Sequence, residues 1–257
     1  MCKTRLEGSV EDCWIKGMKS PMHWMVVLFS LVAVGVASGA ETSRKLKVLV
    51  VTGGHGFQRE PFFKMFQDNP DIAFTQAEHV KDADVYDRED LLSYHVVALY
   101  DMPKTITEAQ KTRFLILFEK GIGVVVMHHA LVSYPDWPEY TRIIGGHYRQ
   151  ADEKMGKAGY QHDVDFSVLI TAKDHPVVAG LKDFKIHDEI YWGFTVASDA
   201  IPLITTDHPK SGKPLGWTRS EKKSRLVYLQ LGHDQSAFND PNYRKLLSQA
   251  IQWTGSK

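Results

Sequence analysis

The residues of this chain best able to do chemistry are imidazoles and carboxylates that stand just past short apolar runs. LKVLVV, residues 46–51, leads through Thr52-Gly53-Gly54 to His55. VVALY, residues 96–100, leads to Asp101; GVVVM, residues 123–127, leads to His128-His129; and RLVYLQLG, residues 225–232, leads to His233-Asp234. The segment KIHDEIYW supplies Glu189, with Asp188 expected on the opposite face if the segment is extended. Imidazole titrates near neutral pH and so moves protons under physiological conditions, and its neutral form is a common ligand for zinc and related metals. Two uses are open: acid–base catalysis by His129, His233 and Glu189, or a divalent metal such as zinc held by three or four of His55, His129, His147, His233 and Glu189. His147 enters because Gly145-Gly146-His147 precedes a polar stretch. Neighbouring extended residues point in opposite directions, so only one of His128 and His129 is expected to face the site, and His129 is the one favoured.

These residues need elements to bring them together. The four apolar runs are short and β-branched, which predicts buried strands, with a weaker strand at residues 72–77. Helical patterns lie between them: Pro61–Gln67, and a segment opened by Thr107-x-x-Gln110, carrying Phe114, Leu115, Leu117 and Phe118 and closed by Gly121. Alternating strands and helices imply right-handed crossovers and a doubly wound, mainly parallel α/β sheet. In such sheets ligands bind beyond the carboxyl ends of the strands, where these polar residues stand. Residues 148–161 turn polar and predict a long surface loop, a candidate lid. Beyond it, residues 164–171, 186–192, 201–206, 213–218 and 225–231 have strand character with few helical spacers, so the second half adds antiparallel strands. Pro241–Trp253 closes the chain as an amphipathic helix.

Composition narrows the function. With 31 Lys+Arg against 31 Asp+Glu and a pI near 7.2, the chain lacks the clustered basic surplus that a nucleic-acid partner requires. The apolar run Trp24–Ala37, preceded by Lys16 and Lys19 and followed by Ser38-Gly39-Ala40, reads as a signal peptide cleaved near Ala40, which predicts a periplasmic or extracellular protein with no stable membrane span. Met18 offers an alternative start that would leave residues 1–17 untranslated. Residues 41–257 are expected to form a single domain, and the sequence leaves oligomerisation open. Cys2 and Cys13 both lie in the leader, so the mature chain has neither a disulfide nor a cysteine nucleophile.

There is no G-x-S-x-G elbow, no phosphate-binding G-x-x-x-x-G-K-[ST] and no H-E-x-x-H helix. Gly54, in a tight turn whose amides suit an anion, together with Asp101, His128, Tyr148, Trp192 and Asp234, completes the expected substrate-binding set, the aromatic rings serving as platforms for a sugar. His79, His95, His162, His175 and His208 read as surface or capping residues.

Taken together, VVTGGHGF, VVMHHALVSYPDWPEY with IIGGHY, DHPVVAGLKDFKIHDEIYW, LGWTR and VYLQLGHDQSAF resemble the ThuA-like family, named for trehalose utilisation, over about residues 46–254. That resemblance implies a flavodoxin-like, class I glutamine amidotransferase-like fold and a small-molecule carbohydrate partner, either trehalose or an oxidised, 3-keto disaccharide. The amidotransferase fold carries a Cys-His-Glu triad, but here His128-His129-Ala130 stands where its nucleophile would be. Glutamine hydrolysis is therefore excluded, and isomerase, lyase or hydrolase chemistry without a cysteine is expected. The alternative is a non-catalytic carbohydrate-binding module.

Overall fold

The computed structural model describes residues 45–149 and 157–256. The signal-peptide reading and the middle of the expected 148–161 loop lie outside the described residues. In chain order the elements are β1 (Leu46–Gly53), α1 (Arg59–Gln67), β2 (Ile72–Glu78), β3 (Val96–Asp101), α2 (Glu108–Lys120), β4 (Gly123–Met127), α3 (Pro138–Ile144), β5 (Gly146–Tyr148), β6 (Gly159–Ile170), β7 (Phe184–Trp192), β8 (Phe194–Val196), β9 (Ile201–Thr205), β10 (Gly216–Glu221), β11 (Ser224–Leu229), α4 (Gln235–Asn239) and α5 (Pro241–Gly255).

Nine strands form one sheet in the order β2-β1-β3-β4-β11-β10-β9-β6-β7. The first five are parallel, and every pairing from β11 outward is antiparallel. This is the doubly wound sheet with antiparallel additions that the sequence predicts. Alternation along β1 sends Val48 and Val50 to one face with Phe62 and Phe66 of α1 and Leu246 and Leu247 of α5. Leu49 and Val51 go to the other, against Phe114, Leu117 and Phe118 of α2. Full burial of each such side chain stabilises the fold by about 1.5–3 kcal/mol, so both faces are covered and ligand-binding groups are left to the strand ends. Helix α2 starts where its capping box predicts: the Thr107 hydroxyl accepts the Gln110 N–H, and the Gln110 side chain accepts the Thr107 N–H in return.

The second half departs from expectation in one respect that matters for the site. Residues Gly159–Gln161, assigned from sequence to a loop, already belong to β6, paired with β7 through Gly159↔Trp192 and Gln161↔Ile190. β6 meets β9 only at Leu169 and Ile170, then leaves the sheet with β7 as a two-stranded arm. In strand order β7 is five places from β4, about 24 Å across a flat sheet at normal spacing. Yet a side chain of β7 touches one at the end of β4, so the arm curls back over the carboxyl ends of the parallel strands. Sequence reading also did not anticipate α3, β5 or β8; β5 and β8 form a separate two-stranded sheet.

Candidate functional site

Where β4 ends, the chain turns sharply. His128 has φ +50°, a left-handed conformation that costs a non-glycine residue on the order of 1–2 kcal/mol. The Tyr228 hydroxyl donates to the His128 carbonyl at 3.2 Å and helps hold the turn. Because of this turn, the His128 ring does not point away from the site as an extended strand end would have it. It faces the space beneath the β6–β7 arm, with its Nδ1 2.7 Å from the carbonyl oxygen of Gln230. A carbonyl only accepts, so Nδ1 carries a proton and Nε2 is the atom presented to the site.

Glu189 approaches from β7. Its Oε2 lies 2.9 Å from His128 Nε2 and 3.2 Å from His233 Nδ1. The two ring nitrogens are 3.3 Å apart, and the Tyr191 hydroxyl is 3.0 Å from His128 Nε2. Glu189 Oε1 faces His162 Nδ1 at 3.3 Å. His128 and Glu189 are buried, whereas the His233 and His162 side chains are 26% and 46% exposed, so the cluster opens to solvent on one side. Burial works against the Glu189 charge, but hydrogen bonds to His128 and His233 and their positive charge outweigh it and hold the carboxyl well below the usual range. The hydrogen bond to Glu189 raises His233 in turn, against partial burial.

The neighbouring carboxylate has a different duty. Asp188 is buried and accepts the backbone N–H groups of Gly232 at 2.8 Å and His233 at 2.9 Å, which fixes the turn after β11 that carries His233. Burial raises its pKa, opposed by the charge of His128 and by these N–H donors.

The cluster lines a cavity of about 300 Å³, together with His55, His129, Tyr148, Tyr160, His162 and Tyr191 and, at its mouth, Lys104 and Lys157. His55 and His129 stack with ring centroids 4.5 Å apart; His129 and His128 are 5.4 Å apart, as are His128 and His233. The expected convergence of distant imidazoles is therefore present. Burial is the main influence lowering both His55 and His129, the latter well below its ordinary value. The His55 Nδ1 lies 2.7 Å from the Gly56 carbonyl oxygen, so Nδ1 is protonated and Nε2 keeps a free lone pair.

Several expected positions are corrected. Both His128 and His129 line the cavity, but His128, not His129, joins Glu189 and His233, because the turn at His128 removes the alternation assumed for an extended pair. His129 is packed on Tyr100 at 4.3 Å and on His55. Asp101 is wholly buried behind the cavity, 3.2 Å from His79 Nε2 and within reach of the Tyr134 hydroxyl, so it is not exposed to a substrate. His79 is correspondingly a buried partner rather than a surface residue. Asp234 caps α4 by accepting the Ser236 N–H. Trp192 alternates away from Tyr191 and covers Gly159, outside the cavity lining. His147 sits in β5 opposite Thr195 and does not line the cavity. Gly54 has φ +78°, and a Cβ there would meet the Met102 carbonyl at 2.5 Å, so its role is to let the first turn press against Met102. Tyr148 lines the cavity as expected.

His162, read from the sequence as a surface or capping residue, is the member of the cluster that sequence reasoning missed. The register of the arm runs from Gln161↔Ile190 to Val164↔Asp188, so His162 and Asp163 form a bulge opposite Glu189. The bulge leaves one extra residue in YQHDVDF, residues 160–166, relative to the paired IHDEIY, residues 186–191.

The sequence profile of the ThuA family, described as trehalose utilisation, matches residues 47–254. The chain belongs to the ThuA family. This membership ties it to carbohydrate metabolism in general terms. No curated protein matches it in sequence. Among solved structures it is similar to a ThuA-like protein from Parabacteroides merdae ATCC 43184, with TM-score 0.72, 20% identity, and 83% of this chain and 91% of that one covered. A ThuA-like protein from Bacteroides uniformis ATCC 8492 gives 0.64, 21%, 86% and 95%. A β-galactosidase from Rahnella sp. R3 gives 0.55 at 14% identity, covering 81% of this chain and 31% of that one. At these identities the likeness concerns the ThuA fold.

Proposed function

We propose that this ThuA-family chain is an enzyme that moves a proton next to the carbonyl of an oxidised sugar, a 3-keto disaccharide of the trehalose type being the expected substrate, and that it works as an exported protein whose mature chain starts near Glu41. The observation that carries this reading is the division of labour among the cavity imidazoles. His128 and His233, gathered on the Glu189 carboxylate, make one cluster at which positive charge is held in the cavity, as a ring proton or as a bound cation, and this is the positive centre. His55, lowered by burial and with Nδ1 engaged by Gly56, offers a neutral Nε2 as base.

A carbonyl acidifies the C–H beside it. His55 takes that proton, the C–H electron pair forms the carbon–carbon double bond of an enolate, and the negative charge that develops on oxygen is stabilised at the positive centre. If the hydroxyl proton on the deprotonated carbon passes to the former carbonyl oxygen, the His55 imidazolium returns its proton to the former carbonyl carbon and the carbonyl has moved by one position. If the enolate instead re-forms the carbonyl and expels the glycosidic oxygen from the β position, that oxygen takes the proton from His55 and the aglycone is eliminated. Neither route needs the sulfur nucleophile that residues 41–257 lack.

The test is deuterium exchange. A 3-keto disaccharide incubated in D₂O with the protein should lose the NMR signal of the C–H beside its carbonyl at least about a hundredfold faster than in buffer, and His55→Ala should abolish the acceleration. Exchange no faster than in buffer, with the sugar nevertheless bound, would replace this reading by that of a carbohydrate-binding module whose cavity tyrosines hold the ring.

A further inference from the structure

We propose that His128, Glu189 and His233 form a binding site for one divalent transition-metal ion of the zinc class, and that this ion is the positive centre of the site. Its role in the reaction rests on the reading above; its existence rests on geometry alone. His128 Nε2, His233 Nδ1 and Glu189 Oε2 form a nearly equilateral triangle with edges of 2.9, 3.2 and 3.3 Å. The centre of such a triangle is about 1.8 Å from each corner, so a cation slightly out of the plane reaches all three at the about 2.0–2.2 Å normal for zinc bound to imidazole and carboxylate.

Protons satisfy this triangle poorly. Each proton lies along one edge. Protonating both imidazoles toward Glu189 sets two like charges 3.3 Å apart, and protonating one leaves an edge between bare lone pairs. A single cation at the centre satisfies every edge.

The surroundings have the form of a built metal site, in which outer partners fix each ligand. The Gln230 carbonyl holds His128 in the tautomer that presents Nε2. Asp188 clamps the backbone on either side of the Gly232–His233 peptide bond. His162 steadies the second oxygen of Glu189. The three ligands come from the end of β4, the arm strand β7 and the turn after β11, and all three line the cavity, so a coordination position is left facing a sugar oxygen. Two imidazoles and one carboxylate with an open position is the donor set of catalytic rather than structural metal sites.

Untagged full-length protein, stripped with a chelator and dialysed, should bind about one equivalent of zinc on calorimetric titration with ZnCl₂. Cobalt(II) added in its place should show visible d–d bands. His233→Ala, at a partly exposed position, and Glu189→Gln should each weaken zinc binding by about tenfold or more and abolish the cobalt bands. His187→Ala, which removes an exposed imidazole that pairs with Asp165 and does not line the cavity, should leave both unchanged. Absence of zinc and cobalt binding in the wild-type protein overturns the inference, as does binding that His187→Ala removes and His233→Ala does not. The two readings separate cleanly. Deuterium exchange by chelated protein that binds no metal keeps the proposed function and sinks the metal; tight zinc binding without exchange on any keto-sugar does the reverse.

Discussion

The carboxylate of Asp188 accepts the backbone N–H of His233 at 2.9 Å, while the next residue, Glu189, takes the ring of the same histidine at 3.2 Å. Two adjacent carboxylates of β7 thus grip one residue by its main chain and by its side chain. The first sets where the imidazole stands, and the second sets its charge.

Asp188→Asn keeps the volume but turns one acceptor into a donor that faces backbone N–H groups. We expect a stability loss of about 1–3 kcal/mol, read by urea denaturation, from the unsatisfied groups. We also expect zinc affinity to fall about 10- to 100-fold, because His233 loses its support. Unchanged affinity with reduced stability would show that the clamp serves only the fold.

Glu189→Gln removes the charge on which His128 and His233 converge. Deuterium exchange on the keto-sugar should fall by about 10²–10⁴-fold, with circular dichroism unchanged.

The metal-free protein should show a distinctive pH dependence. His233 is raised above 6.5 by Glu189, so the stability it contributes is fully present below its unfolded pKa and is lost as pH rises through the folded value. Glu189 is lowered, so its own contribution is lost only in strong acid. In chelated protein the stability difference between wild type and His233→Ala should therefore be smaller at pH 9 than at pH 6, against the opposite trend from His55 and His129, which burial lowers. Zinc should reverse the trend at His233, because ligands must shed their protons to bind.

Asp101→Asn should separate stability from chemistry. The carboxylate is buried against His79 and Tyr134, so its loss should lower the denaturation midpoint by an amount corresponding to about 1–3 kcal/mol. Exchange per folded molecule should stay near wild type, as expected of a residue outside the cavity.

The sequence carried the parallel half of this fold well, because LKVLVV, VVALY and GVVVM are buried on both faces and their strand ends must converge on one edge. It also carried Glu189 and His233. What escaped it depended on backbone geometry that residue types do not encode. The favoured facing of His129 over His128 assumed extended backbone, and φ +50° at His128 removes that premise. His162 looked like a surface or capping residue because its approach to Glu189 depends on a bulge in the pairing of β6 with β7, which residue types alone do not show. Asp101 and Asp234 stood at the right strand ends, but one turned inward to His79 and the other toward a helix start.

The curl of the β6–β7 arm ties the pocket to the last stage of assembly. His128, Glu189 and His233 are far apart along the chain, and contacts of that separation close late because loop entropy must be overcome first. A molecule with its parallel half already formed but its arm undocked would be compact and helical, yet chemically silent. Loss of activity on gentle warming should accordingly precede loss of helical signal, with the outermost hairpin the first segment to exchange its amide hydrogens.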